Sequence, residues 1–322
     1  MFKFCSSPFS VISVGHSANV YPCLCADWHS YGSIGNLTKN TLLEIFNGEL
    51  AKNFRSTILN QSYKYCKSSC YRLWNLEKVQ QFPAMVDQLN LLPTNFILSI
   101  DLNCNLRCAS CRNDNIFDSA PNPITELILD NINNSYQDYN GQVQLKCDGA
   151  GDIFASSAYK NFFARKGIAK SFQFHLITNG LLVTKNLDLI DNILPQLGTV
   201  EVSFDAANKE TYDQVRGGKW NLLIDGIQAL VSRGIQVNTQ YVVQQLNYKE
   251  ILQYRDLCKQ LGVSHIGLQS ISERPHMNPT WWQQNRLDNN SGVDMQWLVP
   301  ALTELHQDSH CGLSGGLIEL IN

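Results

Sequence analysis

From about residue 93 the chain alternates short apolar runs with stretches of helical periodicity. NFILSID (95–101), QVQLKC (142–147), QFHLIT (173–178), TVEVSF (199–204), IQVNTQYVV (235–243) and SHIGLQS (264–270) read as strands. Segments such as KNLDLIDNILPQL and YKEILQYRDLCKQLG, which lie between them, repeat apolar residues at helical spacing. Six βα repeats predict an α/β fold, a parallel sheet with helices outside it, curved into a partial (β/α)6 TIM-like barrel. A doubly wound open sheet is the alternative this pattern leaves. Residues 1–74 have a different rhythm. SVISVG (10–15) and NVYPCLC (19–25) predict a hairpin, and Asn40 is placed to cap one helix over TLLEIFNGELAKNFRSTILN. Leu42, Ile45, Phe46, Phe54 and Ile58 form the apolar stripe of that helix, with Gly48 as its weak point. Beyond residue 272 the pattern is irregular, apart from a helix around 293–307 that contains Pro300. The segments are thus 1–80, 93–271 and 272–322.

Composition changes this picture little. Of 322 residues, 44% are hydrophobic and 16% charged, which is ordinary for a globular chain long enough for a large core. The formal net charge of -3, with no long basic run, argues against a nucleic-acid partner held through phosphates. No apolar stretch approaches the roughly 20 residues that span a bilayer. The start, MFKFCSSPFSVISVGHS, has a single Lys, a broken apolar run and no small-residue cleavage site, so no signal peptide is expected. The expected compartment is the cytoplasm, where clustered cysteines are more often metal ligands than disulfides.

Cysteines carry the candidate chemistry. Three of the eleven, Cys104, Cys108 and Cys111, fall inside eight residues on the loop after the first barrel strand. That loop belongs to the face where barrel enzymes place their active sites. A cubane iron–sulfur cluster takes four ligands, so three thiolates on one loop would leave one iron open to an exchangeable ligand. Structural zinc, with a fourth ligand from elsewhere, remains the rival at this point.

CxxxCxxC after the first strand of such a barrel resembles the radical S-adenosylmethionine (SAM) superfamily. The resemblance implies a [4Fe–4S] cluster on Cys104, Cys108 and Cys111, whose open iron is chelated by the methionine end of SAM. Further matching stations follow the later strands. CDGAGDIF supplies Gly149, Gly151 and Asp152 for the SAM amine, LITNG supplies Asn179, and VSFDA supplies Ser203 and Asp205. YDQVRGG supplies Arg216 for a carboxylate, and HIGLQSI offers a sixth strand to lie against the adenine. The resemblance covers about residues 93–271. Ser110 departs from it, because an aromatic residue commonly precedes the last cluster cysteine. Such a cofactor supplies a 5′-deoxyadenosyl radical, and the barrel has to position the substrate and exclude water.

The N-terminal segment is similar to the SPASM or twitch modules of radical SAM maturases, and the resemblance implies an auxiliary [4Fe–4S] cluster. Cys5, Cys23, Cys66 and Cys70 match its ligand pattern, with Cys25 as a possible replacement for Cys23 and a zinc knuckle as the rival reading. Two departures are visible: the module precedes the barrel, and Ala18 stands where the hairpin usually has Gly. Of the other cysteines, Cys258 is expected in the core. Cys147 at the end of the second strand, and Cys311 in a mobile SHCGLSGG, are candidate hydrogen-atom donors. His276, Trp281 and Trp282 are candidate substrate contacts.

Twitch-bearing members of the family most often modify ribosomally made peptides, so the expected function is maturation of a precursor peptide. Backbone excision, as in spliceases, or cross-linking is expected ahead of L-to-D epimerisation. A non-peptide small molecule is the other substrate class. The implied partners are the precursor peptide, a separate leader-peptide recognition protein, and an electron donor such as flavodoxin or ferredoxin.

Overall fold

The computed structural model describes residues 2–24, 29–68, 70–74, 76–81, 91–108, 110–111, 116–118, 120, 122–148, 150–273 and 277–322. Cys25, Gly149 and His276, all named above, lie outside the described residues. The chain folds as two compact units. The first takes Met1–Asn103, Asp118–His175 and Asn192–Gln196; the second takes Cys104–Phe117, Leu176–Asp191 and Leu197–Asn322.

In the first unit the strands are β1 (Phe2–Phe4), β2 (Val11–Gly15), β3 (Asn19–Tyr21), β4 (Gly35–Asn36), β5 (Glu77–Val79), β6 (Asn95–Ser99) and β7 (Val143–Cys147). The hairpin is present: β2 pairs antiparallel with β3, and β3 with β4. Ala18, at its turn, sits at φ 61°, the left-handed region that glycine enters most easily. The hairpin does not stand apart from the βα repeats. β2 pairs in parallel with β6 from Val11↔Asn95 to Gly15↔Ser99, and β6 pairs in parallel with β7. β1 and β5 form a separate antiparallel pair.

The expected continuous helix over 41–60 is two helices, Leu42–Asn47 and Glu49–Leu59, broken at an extended Gly48. A Cβ at Gly48 would stand 2.8 Å from the Glu44 carbonyl oxygen, so the break needs this glycine. The cap is Thr41 rather than Asn40. Its hydroxyl accepts from the Glu44 N–H, and the Glu44 carboxylate accepts from the Thr41 N–H. The apolar stripe is as expected, with Leu42, Ile45, Phe46, Phe54 and Ile58 all buried.

β8 (Phe172–Thr178) has its first four residues in the first unit and its last three in the second. In the second unit β9 (Leu197–Ser203), β10 (Gln236–Val243), β11 (His265–Ser270) and β12 (Cys311–Ser314) form a wholly parallel run. Alternate residues of β10 are buried. On that face Tyr241 packs on Tyr254, and Thr239 lies 3.5 Å from Cys258 of the helix Ile251–Gln260, so Cys258 is core as expected. The other face of β10 is only half-covered, unlike a parallel sheet sandwiched on both sides. The tail is more regular than its pattern suggested. Cys311 opens β12, paired with β11 from Ile266↔Cys311 onward, and helices occupy Pro279–Asn285, Met295–Gln307 and Gly316–Ile321. Among the described residues no helix is long and apolar enough to cross a membrane.

Candidate functional site

In the second unit, the loop after β6 carries the three clustered cysteines. The Cys104 N–H donates to the Ile116 carbonyl at 2.8 Å, and the Cys111 N–H donates to the Cys108 carbonyl at 3.0 Å, a tight turn between two of the thiols. Cys108 is buried, Cys104 half-buried and Cys111 exposed. Burial pushes the Cys108 thiol up and the Arg216 guanidinium pulls it back, while Cys111 and Cys104 stand close enough to act on it electrostatically. The Asn179 amide donates to Asn105 Oδ1 at 2.9 Å and reaches Cys104 Sγ at 3.9 Å, so this sequence-predicted residue holds the cysteine loop.

Arg216 ends the helix Lys209–Arg216, which closes on a left-handed Gly217. Its Nη1 donates to Asp205 Oδ2 at 2.8 Å, with side-chain exposures of 13% and 5%. The Cys108 thiol lies 4.0 Å from the Arg216 carbonyl oxygen. Asp205 itself is held at φ 58°, a costly conformation for a residue with a Cβ. It is kept there by the Val242 N–H on Oδ1 at 2.7 Å and by the Asn247 amide on its carbonyl at 3.0 Å. Glu250 fixes the same loop by accepting from the Ala207 N–H and the Asn208 amide. Asn247 and Glu250 went unnoticed in the sequence, where nothing marks a residue whose task is to hold another strand's loop. Ser203 ends β9, half-buried and in register with Gln240.

The donor set fits an iron–sulfur group and an anionic ligand. Three thiols share one loop, and beside them Arg216 Nε is buried with no hydrogen-bond partner within bonding geometry among the described residues, the Tyr212 hydroxyl being its near neighbour. A buried guanidinium nitrogen without a well-formed bond is costly, and an anionic acceptor would satisfy it.

In the first unit, Asp152 and Gly151 follow β7. The Asp152 N–H donates to the Asn103 carbonyl at 2.7 Å, and Asp152 Oδ1 accepts from the Phe154 N–H at 3.0 Å. Gly151 lies so close to the same strand extension that a Cβ there would stand 2.1 Å from the Asn103 carbonyl oxygen. Gly151→Ala should therefore force the two backbones apart and cost about 1–3 kcal/mol, the usual range for overpacking. An unchanged urea midpoint would refute this. Cys147 is fully buried, its thiol pushed up by burial. Cys311 is half-buried, and burial pushes its thiol up to about 11. Its electrostatic neighbours include Asp308, Lys259, Arg255 and Asp256, so it lies near the helix Ile251–Gln260. Trp281 and Trp282 are half-buried on the helix Pro279–Asn285.

Also in the first unit, Cys5, Cys23, Cys66 and Cys70 come together. Burial pushes the Cys23 thiol up to about 12, and Cys5, Cys70 and Cys66 add to the rise. Cys66 is pushed up to about 11 by burial, with Cys5 and Cys70 contributing. Cys5 and Cys66 pack against Phe4, Phe9 and Ile58, so these two thiols sit on an apolar floor. Cys66 pairs with His29 in an antiparallel bridge, which ties the ligand turn back to the hairpin side of the module. Among the described residues no three His, Cys, Asp or Glu side chains converge as they would around one metal ion. In a cubane each thiolate binds a different iron, so its four ligands stand further apart than those of one zinc.

Comparison with known proteins finds a family match over each of the two segments that carry the thiols. Residues 99–258 match the radical SAM superfamily, and residues 5–71 match SPASM, an iron–sulfur cluster-binding domain. An AdoMet-dependent heme synthase of Methanosarcina barkeri is 27% identical over 164 residues, 49% of this chain and 45% of that protein. Streptococcus suis SuiB bound to S-adenosylmethionine superposes with a TM-score of 0.50 at 15% identity, over 84% of this chain and 63% of SuiB. SuiB bound to its precursor peptide SuiA gives 0.49 at 16% identity, over 85% and 64%. The chain thus spans about half the length of the curated relative and less than two thirds of SuiB.

Proposed function

A member of the radical SAM superfamily with a SPASM iron–sulfur domain ahead of its catalytic domain, this chain is, we propose, a maturase of a ribosomally made precursor peptide. The observation that carries the reading is the second thiol set, in which Cys5, Cys23, Cys66 and Cys70 are mutual electrostatic neighbours and Cys5 and Cys66 pack on an apolar floor, in addition to the loop of Cys104, Cys108 and Cys111. When bound, SAM and the two clusters would supply a 5′-deoxyadenosyl radical and a one-electron carrier. Cys104, Cys108 and Cys111 would hold the first cluster and the module's four cysteines the second. Gly151 and Asp152 would face the amino end of SAM, together with Gly149. Arg216 would face its carboxylate, and Ser203 and Asp205 its ribose. The peptide would come with a separate leader-recognition protein, and a flavodoxin or ferredoxin in the cytoplasm would supply electrons.

Within this class, excision or cross-linking is favoured over epimerisation. Epimerisation has to return a hydrogen atom to the substrate carbon from the opposite face, and a thiol must reach that carbon. Cys147 is sealed in the core, and Cys311 lies near the helix Ile251–Gln260. Anaerobic reaction with candidate precursor peptides should therefore give a product of altered mass in excision, or one lighter by hydrogen in cross-linking. Cys147→Ala and Cys311→Ala should leave that product unchanged. A product of unaltered mass in ordinary water that carries one solvent deuteron when made in heavy water would establish an epimerase instead. A small-molecule substrate is the second reading, favoured by the heme synthase relative. SAM cleavage stimulated by a tetrapyrrole and by no peptide would establish it.

A further inference from the structure

β6 does not lead directly into the cysteine loop. Four residues intervene, Ile100 to Asn103, and two of them are polar and buried: Asp101 is 5% exposed and Asn103 6%. A carboxylate sealed in a protein interior is expensive unless hydrogen bonds satisfy it. Asp101 Oδ1 accepts from both the backbone N–H and the side-chain amide of Asn103, each at 3.0 Å. Asp101 Oδ2 accepts from Ser156 Oγ at 2.5 Å. Ser156 is fully buried and caps the helix Ser157–Phe163, its hydroxyl oxygen accepting from the Tyr159 N–H at 3.2 Å.

Asn103, held this way by Asp101, makes two further bonds with its remaining oxygens. Its carbonyl accepts from the Asp152 N–H at 2.7 Å. Its side-chain oxygen accepts from the Asp118 N–H at 2.6 Å. The chain departs into the cysteine loop immediately after Asn103 and has returned by Asp118, so this bond closes the base of the loop. The bond to Asp152 ties the same residue to the segment that follows β7, where Gly151 leaves no room for a side chain. Each bond alone is ordinary. Together they make Asn103 the common anchor of Asp118 and of the Gly151–Asp152 segment.

We infer that Asp101 and Asn103 are positioning residues that fix the two residues flanking the cysteine loop, Asn103 and Asp118, against the Gly151–Asp152 segment. Asn103 is the joint and Asp101 the buried clamp that sets its side-chain rotamer and its carbonyl direction. An apolar side chain in place of Asp101 would be cheaper to bury but would leave Asn103 free to turn. The SAM-binding consequence rests on the reading that Asp152 faces the amino end of SAM.

The test uses the full chain with both clusters reconstituted anaerobically, with SAM itself as the probe. Asp101→Ala should keep about eight irons and yet bind SAM about 10- to 100-fold more weakly, the range for losing one or two bonds to a charged group. It should also lose the change that SAM produces in the EPR spectrum of the reduced cluster. Asp101→Asn can still offer an acceptor oxygen to Asn103 and should recover SAM binding to within a few-fold. If Asp101→Ala does not fold, Ser156→Ala, which removes one bond to Oδ2, should show the same spectral loss in milder form. Normal SAM affinity and a normal SAM-induced spectral change in Asp101→Ala or Ser156→Ala, with only thermal stability lowered, would overturn the inference. Asp152→Ala separates the two ideas. Normal SAM binding there, combined with the Asp101 defect, would remove Asp152 from the SAM site and leave the anchoring of the residues that flank the cysteine loop standing.

Discussion

Replacing Cys104, Cys108 and Cys111 together by Ala should reduce the iron of the reconstituted protein from about eight atoms to about four, and abolish SAM cleavage. The three thiols share one loop, with Cys104 and Cys111 close enough to act electrostatically on Cys108, so they should load or fail as a set. The module's four cysteines form a separate set: Cys5, Cys66 and Cys70 act electrostatically on Cys23, and Cys5 and Cys66 pack on Phe4, Phe9 and Ile58. The reverse variant, Cys5→Ala with Cys66→Ala, should also fall to about four irons while still converting SAM to 5′-deoxyadenosine. Iron analysis and chromatography of the nucleoside products read both outcomes. Eight irons retained in the triple variant would remove these cysteines as ligands. Stoichiometric zinc in anaerobically purified protein would make the N-terminal site a zinc knuckle.

What the sequence displayed and what it hid follow from the range of the interactions involved. All six barrel strands were legible because alternate burial imposes a period on the chain itself, as in β10, where Val237, Thr239, Tyr241 and Val243 are buried. Cysteine spacing was equally plain, because three ligands on one loop are a local pattern. β12 was hidden. CGLS has no strand signature of its own, and it becomes a strand only because β11 offers it a parallel partner at Ile266. The joining of the hairpin to β6 was hidden for the same reason, since nothing in SVISVG names its neighbour.

Local competition explains the smaller differences. Asn40 and Thr41 are both good caps, and the choice fell to Thr41 because Glu44 stands three residues beyond it and completes the reciprocal pair. The polar supports of the site were the least legible part. Asp101, Asn247 and Glu250 are ordinary polar residues in the sequence, and they acquire roles only through bonds to residues 2 to 55 positions away.

Arg216→Ala should be the most damaging single substitution in the second unit, and comparison with a neutral double variant separates its two effects. The Asp205–Arg216 pair is buried, and removal of one partner strands the other as an uncompensated charge, at a cost of about 3–5 kcal/mol. Asp205 has little room to relax, with its carboxylate and carbonyl tied to Val242 and Asn247 and its backbone held at φ 58°. Cys108 would lose the cation that counters its burial. The urea midpoint of the apo protein should fall accordingly. If Arg216 also holds the SAM carboxylate through Nε, SAM affinity should drop about 10- to 100-fold. The double variant Asp205→Asn with Arg216→Gln replaces the ion pair by a neutral pair of similar shape, so much of the lost stability should return. SAM affinity should not return with it, because Gln carries no charge for the carboxylate. A double variant that regains the wild-type urea midpoint and also binds SAM normally would show that Arg216 supports the fold beneath Cys108 and does not touch the ligand.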